Sequence, residues 1–299
     1  MVMEFKLAAG DIRTWPVDLD VFQDVTGNAP PWYVLNASDQ TGRYYGVCPW
    51  CDNPVQLIDL VQGDGVPHGR HCNKRITGFD TFVAEALRAC PYKLKSKRPR
   101  ISDRRETSPF SEKIRGAGID QFDRIVHVLR SDIGIFISSA IAERWLRMWL
   151  AVDAPRYRAA NLRNIPWMLA LFAPASNLFG QHIIDPFLLS ALERHLGAGG
   201  IQGGRLTAVP GRFYNLAFSF DAHRVEAVEG GSVRESIRLR VLDMTKGPAI
   251  ADAPVVYRRT INIDPGRFER LLAAGDDHPG RNAHLRAVAR QVSLEFGHA

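Results

Sequence analysis

The sequence predicts an α+β protein in three parts: a zinc-ribbon-like N-terminal module, a central helical region, and a C-terminal antiparallel sheet with helices. Three observations carry that expectation. All four cysteines lie in the first third of the chain, and the 209 residues after Cys90 contain none. Helical spacing of apolar residues dominates the middle of the chain. Strict alternation returns near the C-terminus, in Leu216, Phe218 and Phe220 and again in Ile237, Leu239 and Val241, as a sheet with one wet face requires. At 299 residues the chain is longer than a usual single domain. The expected division is 1–92 as the zinc module, 93–109 as a basic linker, 110–204 as the helical region and 205–299 as the sheet with two final helices.

Residues 1–30 read as an irregular or lightly structured lead-in, with a break at Asn28-Ala29-Pro30-Pro31. Residues 32–47 suggest a hairpin that turns at Asp39-Gln40-Thr41-Gly42. The knuckle Cys48-Pro49-Trp50-Cys51 follows, then a strand over 55–61, a turn at Gly63-Asp64-Gly65 and a return strand over 68–72. Apolar spacing of Phe79, Phe82, Val83, Ala86 and Leu87 predicts a helix over 77–89. Cys90-Pro91 ends it, because proline disfavours a helical conformation in the residue before it.

In the middle, Ile119, Phe122, Ile125, Val126 and Leu129 form an amphipathic stripe. A longer helix is predicted over 133–150, with Trp145, Met148 and Trp149 in its core. Glu143, Arg144 and Arg147 interrupt that apolar stretch, so it suits a buried helix and not a membrane span. Another apolar run covers 165–172. Asp185-Pro186 has the chemistry of an N-cap followed by a first-turn proline, and Gly197 that of a stop. The glycines of 197–204 predict a flexible joint. Near the end, Val255, Tyr257, Ile261 and Ile263 give a third alternating run, and helices are expected over 265–274 and 279–296. Arg238 and Arg240 fall on the wet side of the second strand.

Two residues between Cys48 and Cys51 let both thiolates reach one metal ion from a tight turn. The first fifteen residues lack a basic start followed by an apolar run. The expected location is therefore the reducing cytoplasm, where such a pair binds metal in preference to forming a disulfide. Cys72 follows Cys51 after 20 residues, within ribbon spacing, and Cys90 follows after 17 more. Thiolate affinity for zinc makes Cys48, Cys51, Cys72 and Cys90 the expected ligands, with His71 the first substitute for Cys72. In the mixed site Cys48, Cys51, His71 and Cys90, the last ligand arrives from the end of the preceding helix. A finger-like set using His68 and His71 has spacings outside the usual range.

The formal net charge of +6 resides in one stretch. Residues 93–105 contain Lys93, Lys95, Lys97, Arg98, Arg100, Arg104 and Arg105 against the single acid Asp103. Concentrated positive charge attracts polyanions, and lysine and arginine neutralise phosphates without reading bases. Tyr44, Tyr45, Trp50 and Tyr92 flank the stretch, either stacking on bases or forming the module's small core.

Other patterns are weaker. The 197–204 glycines lack the Gly-Lys-Ser/Thr ending of a phosphate loop. Asp276-Asp277-His278 is read as capping the last helix rather than holding a metal. His68 to Asn73 faintly resembles a metal-finger nuclease but has no acidic partner at a useful spacing. The second helix of a candidate helix-turn-helix in 121–149 is too apolar to read DNA. The leading expectation is a non-catalytic, zinc-stabilised nucleic-acid-binding regulator or accessory factor. A protein–protein adaptor is the alternative, followed by a metal-dependent nuclease or hydrolase. No membrane association is expected.

Overall fold

A computed structural model describes residues 2–36, 41–61, 65–93, 99–197, 199–228 and 233–297. Contacts divide the chain into two compact units, 1–105 with 224–235 and 106–223 with 236–299. Among the described residues no helix is long and apolar enough to cross a membrane.

The first unit opens with a small ladder of β1 (Glu4–Phe5) on β2 (Trp15–Pro16), followed by helix α1 (Leu19–Thr26). Asp18 caps α1 by accepting from the Val21 amide at 3.0 Å, and Gly27 ends it in the left-handed region at φ 59°. The lead-in is thus more ordered than the irregular or lightly structured segment expected from the sequence. Its apolar residues Val2, Phe5, Val17 and Phe22 are buried, but they come from separate short segments and leave no periodic trace. Next come β3 (Tyr33–Leu35), β4 (Gly42–Val47), β5 (Pro54–Ile58) and β6 (His68–His71), which pair antiparallel in chain order. Asp39, Gln40, Gly63 and Asp64 of the predicted turns lie outside the described residues.

Cross-strand register sorts the side chains of this sheet. Tyr44 stands opposite Leu57 and Gly69, and Gly46 opposite Val55 and His71. That face packs with Val2, Phe5 and Phe22. The intervening rung, Tyr45, Gln56 and Arg70, points the other way. There Tyr45 and Val47 join Phe79, with Trp32, Cys72 and Ile76 against them. Helix α2 covers only Ala84–Ala89, shorter than the 77–89 predicted. Asn53 explains the late start. Its side chain accepts from the Val83 amide at 2.7 Å and donates to the Val83 carbonyl at 3.1 Å, holding Val83 extended.

The second unit begins with α3 (Pro109–Asp120) and α4 (Phe122–Ile133), broken at Gln121. Ser108 caps α3 through a reciprocal bond with Ser111. The helix predicted over 133–150 starts later. Gly134 ends α4 at φ 71°, β7 (Ile135–Phe136) intervenes, and Ser138 caps α5 (Ser139–Ala151). After α6 (Ile165–Leu171) come β8 (Ser176–Asn177), β9 (His182–Ile183) and α7 (Pro186–Leu196), capped by Asp185 and stopped at Gly197 as predicted. Half of the expected flexible joint belongs to a hairpin. Strand β10 (Ile201–Gln202) turns into β11 (Arg205–Leu206) through Gly203 and Gly204, both at positive φ, as a two-residue reversal requires. Ala198 of that joint lies outside the described residues.

The alternating runs become β12 (Leu216–Ala227), β13 (Val233–Asp243) and β14 (Val255–Asn262). They form a sheet in the order β14-β13-β12-β8. Helices α8 (Pro265–Ala273) and α9 (Ala283–Glu295) close the chain. Asn282 caps α9, not Asp277 or His278 as the sequence suggested. The helix starts later because the buried Asp123 holds the Arg281 side chain and the Asn282 amide.

Trp145, Trp149 and Trp167 are fully buried. Trp145 meets Phe218 and Phe220 edge-on and donates to Ser176 Oγ at 2.8 Å. A methyl group added at Gly118 would meet the Trp149 ring at 2.6 Å, whereas one at Gly116 would meet nothing within 4 Å. Gly118→Ala should therefore cost about 1–3 kcal/mol by overpacking, and Gly116→Ala should stabilise by up to about 1 kcal/mol through helix propensity. Urea unfolding of the two variants should show opposite signs.

Candidate metal centre

Cys48, Cys51, His71 and Cys90 each place one ligand atom within 4.8 Å of all the others. The Sγ atoms of Cys48 and Cys90 are 3.7 Å apart, and Cys51 Sγ lies 3.4 Å from His71 Nε2. The three cysteines are buried and His71 is half-buried. Such an arrangement of thiols and imidazole can hold a metal ion.

Each ligand arrives for a local reason. The knuckle closes between strands, with the Cys48 amide bonded to the Asn53 carbonyl at 2.9 Å and the Asp52 amide to the Cys48 carbonyl at 3.1 Å. Asp52 takes a left-handed φ of 56° to complete the turn. Its buried carboxylate pairs with the buried Lys6 ammonium and accepts from the Gly10 amide at 3.0 Å. Lys6 is itself fixed by two backbone bonds with Val47, at 2.8 and 2.9 Å. Asn53 donates to the Cys51 carbonyl at 3.1 Å and grips Val83. It thereby positions α2, whose C-cap residue is Cys90.

The fourth position separates the structure from the first-choice ligand set. His71 and Cys72 are consecutive at the end of β6, so their side chains leave opposite faces of the sheet. His71 shares the face of Gly46 and Val55 and reaches the cluster. Cys72 packs with Tyr45, Val47 and Phe79 instead. The mixed set weighed from sequence, with Cys90 entering from a helix end, is the one the fold brings together.

The thiols share charge unequally. Burial pushes Cys48 and Cys90 well above the usual thiol range; hydrogen bonds with Cys48 and Cys51 add to the rise at Cys90, whereas at Cys48 the bond with Cys51 adds and that with Cys90 opposes. Burial also pushes Cys51 upward, but hydrogen bonds from Cys48, Cys90 and His71 outweigh it and hold Cys51 well below its ordinary value. Burial raises the Asp52 carboxyl against the pull of Lys6.

Of the seven basic residues of 93–105, Lys95, Lys97 and Arg98 lie outside the described residues. Lys93 and Arg100 are exposed, and Arg104 and Arg105 are half-buried. Lys93 donates to Asn73 Oδ1 at 3.0 Å. Tyr44, Trp50 and Tyr92 pack against the module's core, and Tyr45 is buried beside Phe79. In the second unit, Arg238 and Arg240 both pair with Asp221, at 2.6 and 3.0 Å. Sequence reasoning missed the roles of Lys6, Asp52 and Asn53. A lysine 46 positions before its partner gives no local signal.

Comparison with protein-family models, curated proteins and solved structures yields no match. The site must be interpreted from its own chemistry.

Lys6→Met should leave the Asp52 carboxylate buried without its counter-ion, at a cost of about 3–5 kcal/mol. Hydrogen exchange of residues 45–53 should accelerate by about a hundredfold or more. Replacing both partners, as Lys6→Met with Asp52→Asn, should recover much of that loss.

Proposed function

We propose that the chain is a zinc-stabilised nucleic-acid-binding protein, acting as a regulator or accessory factor and not as a catalyst. The observation that carries this reading is the position of Cys90. It belongs to the metal cluster and lies three residues before Lys93, where the basic stretch begins. An ion bound there would tether the start of the segment that holds all of the net charge.

Zinc suits the donor set. A zinc tetrahedron with bonds of about 2.3 Å to sulfur and about 2.0–2.1 Å to nitrogen has edges of roughly 3.8 Å between sulfurs and roughly 3.6 Å between sulfur and nitrogen. The cluster has 3.7 and 3.4 Å at those edges. Three thiols in one buried space compete for a single negative charge, and a divalent cation removes the competition by letting all three ionise. Four protein ligands fill the coordination sphere, which favours a structural role over a catalytic one. A reducing compartment such as the cytoplasm would keep these thiols available.

Metal analysis of the purified protein should find about one zinc per chain. His71→Ala or Cys90→Ser should lose it, whereas Cys72→Ala should retain it. Equal zinc loss from Cys72→Ala would restore the four-cysteine set.

Nucleic-acid affinity should fall steeply with salt. Each neutralised phosphate of B-DNA contributes about −0.9 to the slope of log K against log salt, so partial engagement of the seven basic residues should give about −3 to −5. Changing Lys95, Lys97, Arg98 and Arg100 to glutamine should flatten that slope and weaken binding to all sequences alike. Weak binding indifferent to those changes would favour the adaptor reading.

A further inference from the structure

We propose that the N-terminal unit takes a single strand of nucleic acid into a cationic concavity on the outer face of its sheet. The inference rests on the nucleic-acid reading above and names where and in what form the ligand binds. The concavity has a volume of about 730 Å³. Arg43 enters it from β4 and Arg70 from β6, Lys74 follows β6, and Lys93 stands at the start of the basic stretch. All four cations are exposed.

Their lack of counter-charge is the telling feature. Among the described residues no aspartate or glutamate lines the concavity. None forms a salt bridge with Arg43, Arg70 or Lys74 either. Several cations elsewhere meet acids: Arg238 and Arg240 share Asp221, Arg147 holds Glu143 and Glu295, and Arg281 holds Asp123 and Asp276. Like charges kept together without acids repel one another, and a bound polyanion relieves that repulsion.

Size and aromatic lining select the form of polyanion. The volume exceeds that of one phosphate and falls in the range of sites for ligands of nucleotide size. A duplex pairs its bases inward and offers such a recess only backbone. An unpaired strand can place phosphates against the cations and a base on an aromatic ring. Tyr92 provides that ring: it packs partly against the module's core while also lining the concavity.

The metal cluster builds two walls of the same recess. His71, the last residue of β6, belongs to the cluster and lines the concavity. Cys90 carries the chain on to Tyr92 and Lys93, and the Lys93 amide bonds back to the Cys90 carbonyl at 3.1 Å. Metal removal should therefore abolish strand binding along with the shape of the site.

Fluorescence anisotropy of the full-length, zinc-loaded protein tests this, using a short labelled oligothymidylate and a mixed-sequence duplex of equal length. The triple variant R43Q/R70Q/K74Q should bind the single strand at least about tenfold more weakly, with its salt slope flattened by roughly two, since each single-strand phosphate contributes about 0.7. Duplex affinity should change much less. Tyr92→Leu should weaken single-strand binding by about tenfold through lost stacking and leave the salt slope unchanged, a combination that general destabilisation would not produce. The variant R43K/R70K, which keeps the charge, should retain most of the affinity, and zinc content should be normal in all three. Binding that survives the triple variant and Tyr92→Leu but is lost on changing Lys95, Lys97 and Arg98 would overturn this inference and leave the broader reading intact. Absence of binding to either nucleic acid would overturn both. Displacement by polyglutamate as effective as by oligothymidylate would assign the recess to an acidic protein and sink the proposal.

Discussion

The turn from Cys48 to Asn53 is the constraint on which the N-terminal unit depends. It must present two thiols to one point while reversing the chain between β4 and β5. Asp52 closes it in a left-handed conformation, which costs a non-glycine residue about 1–2 kcal/mol. The buried pair with Lys6 holds it there. A buried ion pair adds little net stability over an apolar alternative, because desolvation offsets its attraction. What it contributes is position. Lys6 is tied to Val47, immediately before Cys48, so the pair and the backbone bonds lock the knuckle from two sides.

Asn53 transmits that position to the far ligand. One side chain bonds the Cys51 carbonyl and both backbone groups of Val83, so the start of α2 is set relative to the knuckle. A helix of six residues is too short to be stable alone. Tertiary anchoring makes it a reliable arm for Cys90. The cysteines then sit within the same buried cluster as Val2, Phe5 and Phe22, where an ion would supply cohesion that a small apolar core lacks.

The two faces of the N-terminal sheet carry different chemistry because successive side chains point oppositely. One face holds the core and His71. The other holds Arg43, Arg70 and Cys72. A metal ligand and an uncompensated cation can thus stand one residue apart in sequence while their side chains leave the strand in opposite directions. In the second unit Arg238 and Arg240 of β13 instead meet an aspartate, Asp221.

Much was legible in the order of residues alone. The α+β character, the alternating strands of the C-terminal sheet and the Asp185 cap followed from local rules, since periodicity and capping act within a few residues. The convergence of Cys48 and Cys51 was equally local. What the sequence could not decide was which group completes the cluster, because affinity ranks Cys72 above His71 and only strand register determines which of them faces it. The structured lead-in, the shortened α2 and the Lys6–Asp52 pair were hidden for the same reason. Each depends on contacts between residues far apart in sequence, and a side chain's face and partners are properties of the folded sheet, not of its neighbours along the chain.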